Sequence, residues 1–201
     1  MRRILALVLA VLLVVTLPVR SVEGGSTSFA GIAPLQGNGR TFCTAFAIAK
    51  DMWASAAHCG DYALHLRSDG VQISIGGTYA ELTGMDGIWD LAVFHSAYKG
   101  FTFQMSDTEP HVGDAVEVRG FPYGLGPAVT FGHIAALNVP IEGYHMSNIL
   151  DLTVAGGNSG SPVLSAHGKV IGVLWGAFTD SPHSLAVPFE PTIRFLKPYT
   201  E

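Results

Sequence analysis

Ser159 lies in Thr153-Val154-Ala155-Gly156-Gly157-Asn158-Ser159-Gly160-Ser161-Pro162, a serine set among glycines in a segment closed by proline. That is the composition a nucleophilic serine on a tight loop requires. Gly157 and Gly160 lack Cβ atoms, so the backbone can take positive φ and approach a substrate closely. The amides of Gly157 and Ser159 could then hold an oxyanion between them. Gly/Ser-rich turns are common, however, and most do no chemistry. A serine hydroxyl is a poor nucleophile near neutral pH and needs a base beside it. Imidazole suits that task because its pKa lies near working pH, and a carboxylate can hold its tautomer and stabilise its cation. The chain offers His58 in Ala56-Ala57-His58-Cys59 and Asp90 in Ile88-Trp89-Asp90-Leu91-Ala92-Val93-Phe94.

Asp90 is an acid embedded in apolar residues, and an unpaired buried carboxylate is costly. It either caps backbone amides at the start of a strand or orients a histidine. Asp86 is its rival, but Gly84-Met85-Asp86-Gly87 reads as a natural turn, so Asp90 is preferred. The remaining histidines (His65, His95, His111, His133, His145, His167 and His183) are scattered without paired metal-ligand spacing and read as surface or loop residues. No metal and no cofactor is expected.

The elements that must position these groups read as all-β. Apolar, partly alternating stretches separated by Gly, Asp and Lys-Asp turns occur at 41–49, 52–59, 62–66, 71–75, 78–82 and 88–94. Residues 99–111 read as an exposed connection. A second set follows at 115–120, 128–137, 149–154, 162–164, 170–175 and 184–189. Residues 191–196 predict a short C-terminal helix with Pro191 in its first turn. The segments thus divide into two groups of about six strands, at 39–104 and 105–201, after an extended lead-in at 22–38.

Composition agrees with a compact, turn-rich β protein: 201 residues, 48% hydrophobic, 13% charged, 24 Gly and 11 Pro. Met1-Arg2-Arg3, the apolar run from Ile4 to Val15 and Pro18 read as a secretory signal peptide at 1–21, with a membrane anchor over residues 4–17 as the alternative. Removing 1–21 lowers the basic count from 11 to 8 against 16 acids, a formal charge of −8. That balance argues against nucleic acid as a partner. The expected location is secreted or periplasmic, with membrane contact only through an uncleaved segment. In an exported chain, Cys43 and Cys59 are expected to form a disulfide; a metal site built from two sulfurs and one histidine is the weaker alternative.

Ala56-Ala57-His58-Cys59, Asp90-Leu91-Ala92-Val93 and Gly157-Asn158-Ser159-Gly160-Ser161-Pro162 resemble the three signatures of chymotrypsin-like (trypsin-fold) serine proteases. Gly120-Phe121-Pro122-Tyr123-Gly124-Leu125, Val129–Ile134, Val170–Val173 and Leu185–Pro188 are similar to strands of the HtrA-like and bacterial trypsin-like branch. The resemblance implies two six-stranded antiparallel β-barrels, an acyl-enzyme mechanism, and peptide or protein substrates. His58 would be the base, Asp90 its orienting partner and Ser159 the nucleophile, with the amides of Gly157 and Ser159 as oxyanion hole. Trp175-Gly176 would offer an edge to an extended peptide, and Val154 and residues near Leu174, Gly176 and Leu185 would line the specificity pocket.

Some positions depart from the family pattern. Arg20-Ser21-Val22-Glu23-Gly24-Gly25 faintly resembles a zymogen activation site. The residue before the nucleophile is the uncharged Asn158, so no ion pair to a new amino terminus is expected, and other contacts must set the oxyanion loop. A chain ending at Glu201 leaves no room for the PDZ domain of HtrA proteins, and a monomer is expected. Thr153 stands about where trypsins carry their pocket acid, and Val154 and Leu174 replace the threonine and histidine of glutamyl endopeptidases. Cleavage after small or apolar residues follows. Two rivals stay open: a non-catalytic binding protein on the same fold, and a virus-encoded polyprotease.

Overall fold

The first strands show how one sequence pattern serves two cores. In the computed structural model, which describes residues 29–200, β1 (Ile32–Gly37), β2 (Arg40–Ala49) and β3 (Met52–Ser55) form an antiparallel meander. Asn38 and Gly39, both at positive φ (48° and 76°), make the two-residue β1–β2 turn, the conformation that hairpins of this length favour. Successive side chains of a strand face opposite sides. Ala45 and Ala47 of β2 enter the core of the first sheet, while Phe46 and Ile48 enter a second core between the two halves of the molecule. Both faces are therefore buried, which is why the strand reads as an almost unbroken apolar run.

After β3 the chain forms α1 (Ala57–Ser68), then β4 (Ile73–Ile75), β5 (Thr78–Tyr79), β6 (Glu81–Asp86) and β7 (Leu91–His95). The strand order in this half is β5-β4-β1-β2-β3-β7-β6. It is a seven-stranded sheet that does not close by hydrogen bonds, whereas a closed six-stranded barrel is expected from the sequence. Two local readings change with it. Residues 62–66, expected as a strand, lie in α1, and the short turn expected at His58-Cys59 is the start of that helix. The alternation of Tyr62, Leu64 and Leu66 suggests a strand, but Tyr62 and Leu64 are exposed. The inward face is instead Cys59, Ala63 and Leu66, at helical spacing. Residues 32–37, within the expected lead-in, are β1, paired to both β2 and β4.

The second half meets the expectation of a six-stranded barrel. β8 (Ala115–Gly120), β9 (Ala128–Pro140), β10 (Met146–Asp151), β11 (Pro162–Ser165), β12 (Val170–Ala177) and β13 (His183–Val187) close in the order β10-β13-β12-β11-β8-β9. Val116, Val118, Ile134, Leu150, Val163 and Leu174 fill it. α2 (Phe189–Leu196) follows, with Leu196 fully buried in the core between the halves.

That middle core joins Phe46, Leu91 and Val93 of the first sheet to Leu164, Val173 and Val187 of the barrel. Each such side chain contributes about 1.5–3 kcal/mol on full burial. The connection between the halves is tied to both, through Phe103 N–H to the Ala47 carbonyl (2.8 Å) and Ser106 N–H to the Val170 carbonyl (2.9 Å). Nearby, the Lys169 ammonium donates to Asp107 at 3.1 Å and holds that carboxyl below the usual carboxylate range. The expected signal peptide or anchor (1–21), the stretch 20–25 and Glu201 lie outside the described residues. Among those described, no helix is long and apolar enough to cross a membrane.

Candidate active site

β3 delivers the chain to the inter-lobe cleft, and α1 begins there, placing His58 in its first turn. The N-cap residue, Ala56, has no side-chain acceptor, and the first turn carries no acid. Helix N-termini leave amides unpaired and favour negative charge. Asp90 meets that need from the neighbouring element. Its Oδ1 accepts the His58 backbone N–H at 2.7 Å, and its Oδ2 lies 2.8 Å from His58 Nδ1. Asp90 sits at φ 55° immediately before β7, a left-handed conformation that Asp tolerates better than most residues. Its side chain is only 14% exposed, against 47% for His58. Asp86, the rival acid, is occupied on its own turn, where Oδ1 accepts the N–H groups of Ile88 (2.9 Å) and Trp89 (3.2 Å).

The disulfide between Cys43 and Cys59 spans 6.2 Å between Cα atoms and joins β2 to α1 at the residue after His58. The two sulfurs and the His58 ring lie together, but the sulfurs are bonded to each other and are not free thiolates for a metal.

Ser159 reaches the cleft on the loop between β10 and β11. Gly160 (φ 83°) packs against β2 and β3 so closely that a Cβ there would lie 2.1 Å from Ser55 Oγ and 2.4 Å from the Thr44 carbonyl oxygen. Gly157 (φ 96°) packs against the 121–124 turn, where a Cβ would lie 2.4 Å from the Phe121 carbonyl oxygen. Thr44 N–H donates to the Ser159 carbonyl at 2.8 Å, and Thr44 Oγ1 donates to the Gly157 carbonyl at 2.8 Å. Tyr123 N–H donates to the Gly156 carbonyl at 2.6 Å. Among the described residues, the N–H groups of Gly157 and Ser159 donate to no protein acceptor. Ser159 Oγ donates to the Trp175 carbonyl at the long distance of 3.5 Å, and no hydrogen bond joins it to His58. Such contacts are often long before substrate is bound.

Two hollows have these residues in their walls. One, of about 700 Å³, is lined by His58, Asp90, Ile88, Tyr144, His145 and Trp175. The other, of about 190 Å³, has Ser159 in its wall with Val154, Ala155, Gly156, Leu174, Gly176 and Ala177. Val154, Leu174 and Gly176, expected at a specificity pocket, thus share one hollow with Ser159, while Trp175 lines the larger one; Leu185, expected there too, is buried behind Gly176 on β13 and lines neither. Neither the role of Thr44 nor that of Tyr123 is expected from the sequence. His145, a loop residue as expected, lies in the cleft between the tilted rings of Trp175 (4.9 Å between ring centroids) and Trp89 (5.7 Å). Trp89 and Trp175 lie in different halves of the chain, so spacing gives no hint of this contact.

A closed six-stranded β-barrel packed through a shared core on a second β-sheet is the architecture of the trypsin-like class of folds. The chain belongs to the family of trypsin-like peptidase domains, whose description matches residues 43–173. Among curated proteins it is 35% identical over 135 residues to a probable periplasmic serine endoprotease, DegP-like, of Bartonella henselae, covering 62% of this chain and 27% of that protein. It is also 35% identical over 129 residues to the DegP-like protein of Rhizobium meliloti, covering 62% and 25%. The chain therefore spans about a quarter of the length of these relatives. Among solved structures, the HtrA-type protease AlgW with a tripeptide has a TM-score of 0.68 at 23% identity, covering 85% of this chain and 60% of that one. The Rv3671c protease in its inactive form has a TM-score of 0.67 at 20% identity, covering 84% and 88%. At these identities the structural likeness concerns the fold.

Proposed function

We propose that this chain is an exported serine endopeptidase that hydrolyses peptide bonds through an acyl-enzyme. The observation that carries the reading is the pairing of Asp90 with both the backbone and the ring of His58, on the cleft where Ser159 sits with two unbonded amides beside it. Export is supported by the signal-like N-terminal sequence, the disulfide and the periplasmic naming of the relatives.

In this mechanism Asp90 keeps the proton of His58 on Nδ1, leaving Nε2 free as base. As substrate enters, Ser159 Oγ moves from the Trp175 carbonyl to His58, gives its proton to Nε2 and attacks the scissile carbonyl. The developing oxyanion is met by the amides of Gly157 and Ser159. His58 returns the proton to the leaving amine, and a water activated by the same ring then releases the acyl group. β12 pairs with β13 on one side through Ala177, but on the other side β11 pairs with it only as far as Val173, so the β11-side edge at Trp175-Gly176 can pair with an extended peptide.

The test is covalent labelling of the folded, oxidised protein with a fluorophosphonate, alongside Ser159→Ala. Labelling of the wild type that disappears in the variant is expected. Absence of labelling in a protein shown to be folded and oxidised overturns the proposal in favour of a binding protein on a peptidase fold.

A further inference from the structure

The geometry points to Thr44 as the positioning residue that holds the oxyanion loop in its working conformation through its side-chain hydroxyl. This inference rests on the serine-peptidase reading and names the contact that stands where an ion pair is missing. Position 158 is an uncharged Asn, only 4% exposed, so no salt bridge at that residue can brace the loop. Gly157 is also the residue least able to brace itself, since a glycine at φ 96° has no side-chain barrier to reorientation. Something outside the loop must set the two peptide units that flank it.

In a trans peptide the carbonyl and the following N–H point in opposite directions, so fixing one fixes the other. Thr44 Oγ1 donates to the Gly157 carbonyl at 2.8 Å and thereby sets the 157–158 peptide. The Asn158 N–H on its opposite side donates to the Ala155 carbonyl at 3.1 Å. Thr44 Oγ1 also accepts the Phe121 N–H at 3.0 Å. Phe121 opens the turn whose Tyr123 N–H donates to the Gly156 carbonyl at 2.6 Å. That bond sets the 156–157 peptide, with the Gly157 N–H directed away from Tyr123. One hydroxyl therefore governs both units, one directly and one through the 121–123 turn.

Thr44 is itself held without slack. It is fully buried, its N–H donates to the Ser159 carbonyl at 2.8 Å, and its carbonyl accepts Ser55 Oγ at 2.8 Å. Its register partner on β1 is Pro34, which has no N–H to offer. The preceding residue, Cys43, is bonded to Cys59 beside His58. Cys43-Thr44 thus links the helix that carries His58 to the loop that carries Ser159 by one disulfide and two hydrogen bonds.

Thr44→Ser and Thr44→Ala remove the same methyl group and differ only in the hydroxyl, so their comparison isolates it. In the full-length oxidised protein, kcat on a peptide amide is expected to fall at least about tenfold in Thr44→Ala relative to Thr44→Ser. KM should stay within about threefold, because the lost contact acts in the transition state. The rate of fluorophosphonate labelling should fall in parallel. Equal kcat in the two folded variants overturns the inference, as does a drop in Thr44→Ser as large as that in Thr44→Ala. Crystal structures of wild type and Thr44→Ala provide a readout independent of activity. The Gly157 carbonyl is expected to turn away from its wild-type direction in the Ala variant, and an unchanged carbonyl overturns the inference. A turned carbonyl in a protein whose wild type neither labels nor cleaves would leave the positioning role standing and dismiss the peptidase reading. The isosteric Thr44→Val replaces Thr44→Ala should the smaller side chain fail to fold.

Discussion

Asp90 grips His58 at two points, its Oδ1 on the backbone N–H at 2.7 Å and its Oδ2 on ring Nδ1 at 2.8 Å. The carboxylate acts as an external cap for α1 and as the orienting partner of the ring. Asp90→Asn separates the two roles. The amide oxygen can still accept the backbone N–H, so stability should fall by no more than about 1 kcal/mol. Its NH2 group facing the ring would favour the wrong tautomer, and kcat should fall by about 10³–10⁴. Urea denaturation and steady-state kinetics on one preparation check both. A variant with near-normal kcat would remove Asp90 from the proposed mechanism.

Gly157 admits no side chain where it stands. At φ 96°, with the Phe121 carbonyl oxygen 2.4 Å from the site of a Cβ, an alanine must push the loop off the 121–124 turn. The Gly157→Ala protein should retain its global fold, because the strain falls on a loop outside both cores. Its kcat should drop by about 10²–10³, the loss typical of one missing oxyanion donor. Circular dichroism and kinetics together read the outcome; undiminished kcat would show that the Gly157 amide does not serve the oxyanion.

How much of this was legible in the sequence depended on the kind of constraint. The residues of the proposed site, His58, Asp90 and Ser159, stand out because acyl transfer admits few residue types and the loop needs its glycines at Gly157 and Gly160. The barrel of the second half was legible because Val116 and Val118 alternate with more exposed neighbours in β8, and β11 and β12 read as short apolar runs buried on both faces. The seven-stranded first sheet was not, because β5 is two residues long and α1 hides its helical face under the alternation of Tyr62, Leu64 and Leu66. Thr44 could not be found either. Its hydroxyl bonds Gly157 across 113 residues, and nothing in Phe42-Cys43-Thr44-Ala45 signals that partner. Side chains recruited by the chemistry announce themselves by type, whereas those that hold a loop in place are specified by tertiary register.

The Cys43–Cys59 bridge closes a loop of 16 residues that contains β3 and the start of α1. Chain-entropy arguments give a loop of this length about 3 kcal/mol of stabilisation, acting mainly on the unfolded state. The Cys43→Ala/Cys59→Ala double variant should lose about that much in urea unfolding, with its midpoint lowered and its m-value somewhat raised, because the unfolded chain without the cross-link exposes more surface. Both cysteines are almost fully buried (4% and 0% exposed), so reductant should act on the native protein only slowly. A loss well under 1 kcal/mol would show that packing in the core of the first sheet is enough to fix these two segments.

The hollow beside Ser159 sets the expected preference at the cleaved bond. Val154, Ala155, Leu174, Gly176 and Ala177 line it, with no charged side chain among them, and its volume is about 190 Å³. A Lys, Arg or Glu side chain there would surrender its hydration without an opposite charge to meet it. Peptides with Ala or Val before the cut should therefore be cleaved with the higher kcat/KM, and each ill-fitting methylene should change the discrimination by about 1–3 kcal/mol. Val154→Gly enlarges the wall and should shift the optimum toward Leu and Met. Profiling wild type and variant with one peptide library tests both statements. Cleavage mainly after Glu, Lys or Arg would mean that another part of the cleft receives the side chain, and an unshifted optimum in Val154→Gly would exclude Val154 from the pocket wall.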